Sequence, residues 1–389
     1  MRGNGEDLRS LCACLLTACW VGVAIAVVTV PAPLRAADPR DARAVDALIA
    51  RQMSTYHVPG AALALIQDGR VVLEKGYGFR DLATNAPVTS GTLFNIGSIS
   101  KSFTALGVAQ LVDQHQVDLD APVIRYIPDL RLSDPQATQE VTLRQLLSHT
   151  SGLPADDQWP RQVPSSREGI VQEFATMPIT AQPGTRFQYC SRCVVLAAYV
   201  LERVTGQSWE AYTRTHIFEP IGMTTAGFGA LGLEDASDRA LPYRDETGAG
   251  AAPVTWPRLQ YLGPLAPAAG IDASIADMVR YALFQLGDGT VSGRRVISAQ
   301  MLAELHRPEI AVGAGWARPD IQSLHYALGW FTGEDRGVQL VYHNGANPGF
   351  RATLVFAPSA KAGVVILTNG QAGGFTSATV SLLLEQLLQ

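Results

Sequence analysis

Lysine is nearly missing from this chain. Among 30 Lys plus Arg only Lys75, Lys101 and Lys361 are lysine, so arginine supplies the other 27 cations. A guanidinium stays charged near neutral pH, whereas a desolvated ammonium can be tuned to give up its proton. The scarcity therefore points at Lys101, which stands among Ser98, Ser100 and Ser102 in the stretch FNIGSISKSF. Cysteine is also scarce. Cys12, Cys14 and Cys19 fall within the first 37 residues, which leaves Cys190 and Cys193, too few for a disulfide scaffold. Their Cys-x-x-Cys spacing has no thioredoxin-like βαβ pattern around it and reads as two small residues packed in a helix's first turn. Oxidation to a local disulfide outside the cytoplasm stays open.

Other absences remove whole chemistries. No H-x-H or H-E-x-x-H occurs, so a zinc site lacks its usual ligands. No G-x-S-x-G elbow occurs, which counts against an α/β-hydrolase. No P-loop phosphate cradle is present either, and the reading includes no metal and no cofactor. The net charge of −5 without a basic run argues against nucleic acid as a partner.

What is present is a chain of 389 residues, 47% hydrophobic and 17% charged, the composition of a globular protein. Its first 37 residues stand apart. Arg2 and Arg9 precede an uncharged run from Leu11 to Val30, followed by PAPLRAADP. Charged start, apolar middle and small residues before a polar break make an export signal, cleaved near Ala36 or Ala37. The expected domains are a signal peptide over 1–37 and one folded domain over 38–389, with a periplasmic or secreted product. The run is also long enough to span a bilayer, so an uncleaved inner-membrane anchor through residues 11–30 is the alternative.

Apolar residues at helical spacing predict a helix from Asp41 to Met53. GAALALI and RVVLEKGYGF read as strands joined by an Asp68-Gly69 hairpin. From about Thr92 to Leu324 helical patterns alternate with Pro/Gly-rich loops, SIADMVRYALFQLGDG being the clearest. HYALGWFT, VQLVYHN, FRATLVFAP and AGVVILTNG then read as successive strands before the amphipathic SATVSLLLEQLL. Strands at both chain ends place the helical insertion beside the sheet as a second lobe, with a cleft between. The expected fold class is α/β of the α+β type: an antiparallel sheet flanked by terminal helices, with an inserted, mostly helical lobe.

SISKSF begins a helical pattern with Phe103, Leu106 and Ala109 on one apolar stripe. Residues three apart share a helix face, so Ser98 and Lys101 are neighbours, with Ser98 in the first turn where unpaired N–H groups favour negative charge. A serine hydroxyl becomes nucleophilic when an adjacent base takes its proton, and a neutral, desolvated lysine can serve. Taken alone, the same tetrad also fits a serine helix cap beside an exposed lysine.

The surroundings resemble the serine penicillin-binding protein and β-lactamase superfamily, in its class C-like branch. That branch includes carboxylesterases of the β-lactamase type and D-stereospecific peptidases. The resemblance runs through LFNIGSISKSFTA, TLRQLLSHTSGLP, QPGTRFQYCS, IFEPIGM, PAAGIDASIADMVRYAL, YALGWF, HNGANPGF and GVVILTNG, in the family's order. It implies Ser98 as the acylated nucleophile, Lys101 as its base and Tyr189 as a partner in proton transfer. It also implies the backbone N–H groups of Ser98 and Ala346 as an oxyanion hole. His343 and Gly345 match the third motif on the strand bordering the cleft. Two departures bear on substrate. The second motif usually ends in asparagine, but here it reads Tyr189-Cys190-Ser191, and serine lacks the amide's paired donor and acceptor. The third motif carries histidine where many β-lactamases carry lysine, which weakens recognition of a substrate carboxylate. With Ser191, His343 and Gly345 as substrate contacts, the expected partner is a small carboxylic ester. A β-lactam or a D-amino-acid peptide is the alternative. His149, in LLSHTSG, is expected to be structural. A non-catalytic penicillin-recognising receptor is the competing class, disfavoured because only ten residues precede the apolar run.

Overall fold

The computed structural model describes residues 41–160, 162–229, 236–244, 251–254, 262–313 and 321–388, all within the unit Ala36–Gln389. The run from Leu11 to Val30, on which the export and anchor expectations rest, lies outside them. Among the described residues no helix is long and apolar enough to cross a membrane.

The N-terminal part supplies helix α1 (Ala42–Thr55), capped by the Asp41 carboxylate, which accepts from the Arg43 and Ala44 backbone N–H groups. Strands β1 (Gly60–Gln67) and β2 (Arg70–Asp81) follow. Asp68 and Gly69 between them have φ of 52° and 71°, the left-handed pair that a two-residue hairpin loop requires. Short strands β3 (Ala86–Pro87) and β4 (Phe94–Asn95) lead to helix α2 (Ser100–Asp113). The insertion continues with α3 (Leu143–Leu147), α4 (Ser191–Thr205), β5 (Gly227–Phe228), α5 (Leu262–Ala269), β6 (Ile271–Ala273) and α6 (Ile275–Gln285), among shorter pieces. The chain then returns through β7 (Ile310–Ala311), β8 (Gln322–Tyr326), β9 (Phe331–Asp335), β10 (Val338–Asn347), β11 (Phe350–Ala357) and β12 (Ala362–Thr368), and closes on α7 (Gly373–Leu387).

Among the described residues the main sheet has nine strands in the order β7-β8-β9-β10-β11-β12-β1-β2-β3. Its neighbours pair antiparallel, and β12 against β1 joins the two chain ends. The apolar run of β1 is buried on both faces. Ala61, Leu63 and Leu65 pack toward Val45, Leu48 and Ile49 of α1 and Leu383 and Leu384 of α7. Ala62, Ala64 and Ile66 belong to the core shared with the helical insertion. The two-residue period of a strand thus sorts one apolar run into two cores.

Two local expectations change. HYALGWFT is two strands, because Gly329, at φ +75°, reverses the chain between β8 and β9 and Ala327 N–H donates to Trp330 O at 2.7 Å. Helix α2 is buried all round, twelve of its fourteen residues being inaccessible, rather than along one stripe. The reason is its position: α4, α5 and the helix Ala299–Leu305 enclose it. A helix surrounded in this way needs no polar face.

Candidate active site

Ser98 lies in a single 3-10 turn, Gly97–Ile99, immediately before α2 rather than inside the α-helix. Gly97 has φ +52°, and a Cβ there would stand 2.6 Å from Ala346 N. A Cβ on Gly345 would stand 1.9 Å from Ile96 O. Both positions are glycine because the Ser98 turn and β10 approach more closely than any side chain permits. The two-residue loop Pro348-Gly349 makes Asn347 and Phe350 the closing hydrogen-bonded pair of the hairpin. Pairs alternate from there, so the Ala346 N–H points away from β11, toward the Ser98 side. The last residues of β10 extend beyond β9, whose pairing stops at Tyr342.

Asn95 locks this arrangement. Its Nδ2 donates to Asp272 Oδ1 at 2.7 Å, while its Oδ1 accepts from Gly97 N at 3.0 Å and from Asn347 Nδ2 at 2.5 Å. One amide thereby ties β6, the Ser98 turn and the end of β10 together. Burial pushes the Asp272 carboxyl up to about 6, against the lowering by the Asn95 hydrogen bond and by Arg239.

Lys101, one turn beyond Ser98, is fully buried. Its Nζ donates to Ser98 Oγ at 3.1 Å and to Ala268 O at 3.1 Å. Burial lowers its pKa to about 8, partly opposed by the negative field of Asp156. Nζ also stands 4.6 Å from the centre of the Tyr189 ring, and the Tyr189 hydroxyl hydrogen-bonds Ser98. Burial drives the Tyr189 pKa well above its ordinary value. The lysine is therefore the easier of the two to present as a base, and the tyrosine keeps its proton. With one proton removed, Nζ can still donate to Ala268 O while accepting from Ser98 Oγ.

Behind these groups an aromatic seam joins the insertion to the sheet. His149 lies 4.5 Å from the Tyr189 ring and 4.7 Å from the Tyr326 ring, and Tyr326 and Phe331 meet edge to face at 4.6 Å. His343 is in this seam and buried, not in the cleft lining. Its Nδ1 donates to Asn344 O at 2.7 Å, which leaves Nε2 to accept from the Tyr326 hydroxyl at 3.0 Å. Burial, aided by Lys101, lowers its pKa to about 3, so the imidazole is neutral. Both nitrogens are engaged inside the protein, where the sequence pointed to contact with a substrate carboxylate. His149, expected to be structural, is also buried; its Nδ1 accepts the Cys190 N–H at 3.2 Å. Cys190 caps α4 and is joined to Cys193 by a disulfide, Cα atoms 5.3 Å apart, where the sequence favoured two packed thiols. Both sulfurs are nonetheless completely buried in the helix's first turn.

The cleft beside Ser98 has a volume of about 620 Å³. Ser191 lines it, but the serine is committed to Asp156: its N–H donates to Oδ1 and its hydroxyl to Oδ2, each at 2.6 Å. Among the described lining residues the charged ones are Asp156, Asp157 and Arg192. The Arg192 guanidinium turns inward, donating to Glu173 Oε2 at 2.9 Å and to Pro160 O at 3.0 Å. The sequence reading missed Asp156, Tyr326, Asn95 and Asn347. Asp156 sits in a loop with no motif, and Tyr326 looks like an ordinary strand aromatic.

The chain matches the family model described as Beta-lactamase over residues 45–387. It is similar to Penicillin-binding protein 4 of Amycolatopsis lactamdurans, 30% identical over 338 residues, covering 85% of this chain and 86% of that protein. It is also 26% identical over 329 residues to Protein flp of Staphylococcus aureus (strain COL). That match takes in 84% of this chain but spans only 62% of the relative. Among solved structures, the octameric penicillin-binding protein homologue from Pyrococcus abyssi superposes with a TM-score of 0.77 at 27% identity, covering 90% of this chain and 77% of that one.

Proposed function

Because this chain belongs to the beta-lactamase family of penicillin-binding-protein-type serine hydrolases, we propose that it is an exported hydrolase acting through an acyl-enzyme on Ser98. The observation that carries this is the contact of a fully buried Lys101 amine with Ser98 Oγ at 3.1 Å. The neutral amine takes the Ser98 proton as Oγ attacks the carbonyl carbon. The oxyanion that develops is held by the N–H groups of Ser98 and Ala346. As the intermediate collapses, Tyr189 gives its proton to the leaving oxygen or nitrogen and receives one from the Lys101 ammonium. Water then gives one proton to the Lys101 amine and attacks the acyl carbon; the bond to Ser98 Oγ breaks, Oγ takes that proton back from the Lys101 ammonium, and the acid is released.

The proposed substrates are small carboxylic esters and related amides. Support comes from charge: among the described lining residues the single cation, Arg192, is bound to Glu173, and His343 is neutral and buried. A substrate carboxylate, such as that of a β-lactam or of a peptide C-terminus, would meet no free cation among them and would face Asp156. Ser191, spent on Asp156, offers no paired donor and acceptor to a side-chain amide.

Incubation with a fluorophosphonate, followed by mass spectrometry, should place the added mass on Ser98 and leave Ser98→Ala unlabelled. Labelling that survives in the alanine variant defeats the assignment. Comparison of p-nitrophenyl butyrate, nitrocefin and a D-Ala-D-Ala peptide by kcat/KM should rank the ester first. Faster turnover of nitrocefin would reverse the substrate reading.

A further inference from the structure

We propose that Asp156 is a specificity-determining carboxylate that selects substrates carrying a cationic group, an ammonium above all, beside the scissile carbonyl. The inference rests on the Ser98 reading and adds a substrate class to it.

Asp156 is exposed to the cleft, in the wall that also contains Ser98. Its carboxylate is fixed rather than free: both oxygens accept from Ser191, and its own N–H donates to Tyr189 O at 2.9 Å. A carboxylate held at both oxygens, on a residue whose backbone N–H is also bonded, presents its remaining lone pairs in one direction and loses little side-chain entropy on binding. No described lining residue neutralises it, because Arg192 is turned to Glu173 and the next lining charge, Asp157, is also negative. Its field already reaches the reacting groups, raising the pKa of both Lys101 and Tyr189. A bound cation would cancel that field. Burial alone would then act on Lys101 and favour the amine form that the reaction needs. Leu265, Ala268 and Ala269, which line the same cleft, add apolar surface for the alkyl part of such a group.

The test uses pairs of esters that differ in charge and not in shape. For the leaving group the pair is choline butyrate and 3,3-dimethylbutyl butyrate. For the acyl group it is the p-nitrophenyl esters of 4-(trimethylammonio)butanoate and 5,5-dimethylhexanoate. In one of the two pairs at least, kcat/KM for the cation should exceed that of its neutral partner by about tenfold at low ionic strength, shrinking near 1 M salt, where the Debye length is about 3 Å. In Asp156→Asn that ratio should fall severalfold. Ratios near one in wild type for both pairs overturn the proposal, as does a ratio that Asp156→Asn leaves intact. A purely structural role for Asp156 would lower both members of a pair together and keep the ratio, which also overturns it. If no ester is turned over, the ester reading of the Ser98 site fails first. Calorimetry on Ser98→Ala with the non-hydrolysable ketone analogues of the same pairs then decides the inference on its own. Tighter binding of the cation supports it, and equal affinity refutes it.

Discussion

Lys75 and Lys101 carry the same side chain in two regions of one molecule. Lys75 stands on the open face of β2, about half exposed, with its ammonium 2.8 Å from Asp46 Oδ2. Lys101 stands on the enclosed helix α2, completely buried, its ammonium hydrogen-bonded to a serine hydroxyl and a peptide carbonyl. Water and a carboxylate stabilise the first charge. The second has lost water and gained only neutral hydrogen bonds, and its pKa falls to about 8. The lesson is that a rare residue type marks a site only together with its burial, since the same rarity attaches to Lys75.

The largest effect should come from breaking this contrast at Lys101. Lys101→Arg keeps the charge and removes the titration, so kcat/KM should fall about 10³-fold, the range expected for losing a general base. Lys75→Arg should leave it unchanged. Thermal melting of both variants, with Lys101→Ala as a smaller replacement, separates chemistry from misfolding. The proposed mechanism runs through the neutral Lys101 amine, so kcat/KM should rise about tenfold from pH 7 to pH 9 and level off above the Lys101 pKa of about 8. Near-normal turnover by Lys101→Arg, or a profile flat across that window, would sink the base assignment.

The same contrast recurs in acids, with a smaller expected effect. Asp46 is held below its ordinary pKa chiefly by the hydrogen bond from Lys75, whereas burial lifts Asp272 to about 6. A raised carboxyl binds its proton more tightly in the folded state. Its stabilising contribution is therefore complete below the unfolded pKa of 3.8 and is lost as pH rises through about 6. The shift corresponds to at most about 3 kcal/mol by pH 7. Asp272→Asn keeps an acceptor for Asn95 and removes the titration. Urea unfolding should therefore show wild type losing stability relative to the variant between pH 4 and pH 7. Parallel curves would mean that Arg239 and Asn95 hold the carboxylate charged throughout.

The sequence made the scaffold legible because it repeats itself in simple periods: β1 and β12 are apolar runs, Asp68-Gly69 is a hairpin signal, and α1 has its cap. The Ser98, Lys101 and Tyr189 positions were legible through spacing together with the resemblance. What stayed hidden depends on long-range placement. Nothing local says that Ser191 will spend its hydroxyl on Asp156, 35 residues earlier. Nor does anything local say that Tyr326 will take up the Nε2 of His343. The enclosed surroundings of α2 were hidden for the same reason, since its neighbours come from parts of the chain far apart in sequence.

The smallest expected effect sharpens the comparison from the exposed side. Lys75→Met removes the ammonium that lies against Asp46 and keeps most of the apolar stem. Both partners are more than a third exposed, at 46% and 37%, so solvent screens the pair and its worth is about 0.5 kcal/mol. Asp46 has a depressed folded pKa, so the stability it contributes is present above the unfolded value of 3.8 and disappears as pH falls through the folded one. Lys75→Met should thus cost about 0.5 kcal/mol at pH 7, and less at about pH 3 or in concentrated salt. Tyr77, whose hydroxyl still donates to Asp46 Oδ1 at 2.9 Å, should preserve part of the depression. Denaturant titrations at the two pH values measure the difference, and p-nitrophenyl butyrate hydrolysis should be unaltered at both ionic strengths. A loss above about 2 kcal/mol would show that the exposed lysine is held as tightly as the buried one, and the contrast drawn between the two regions would fall.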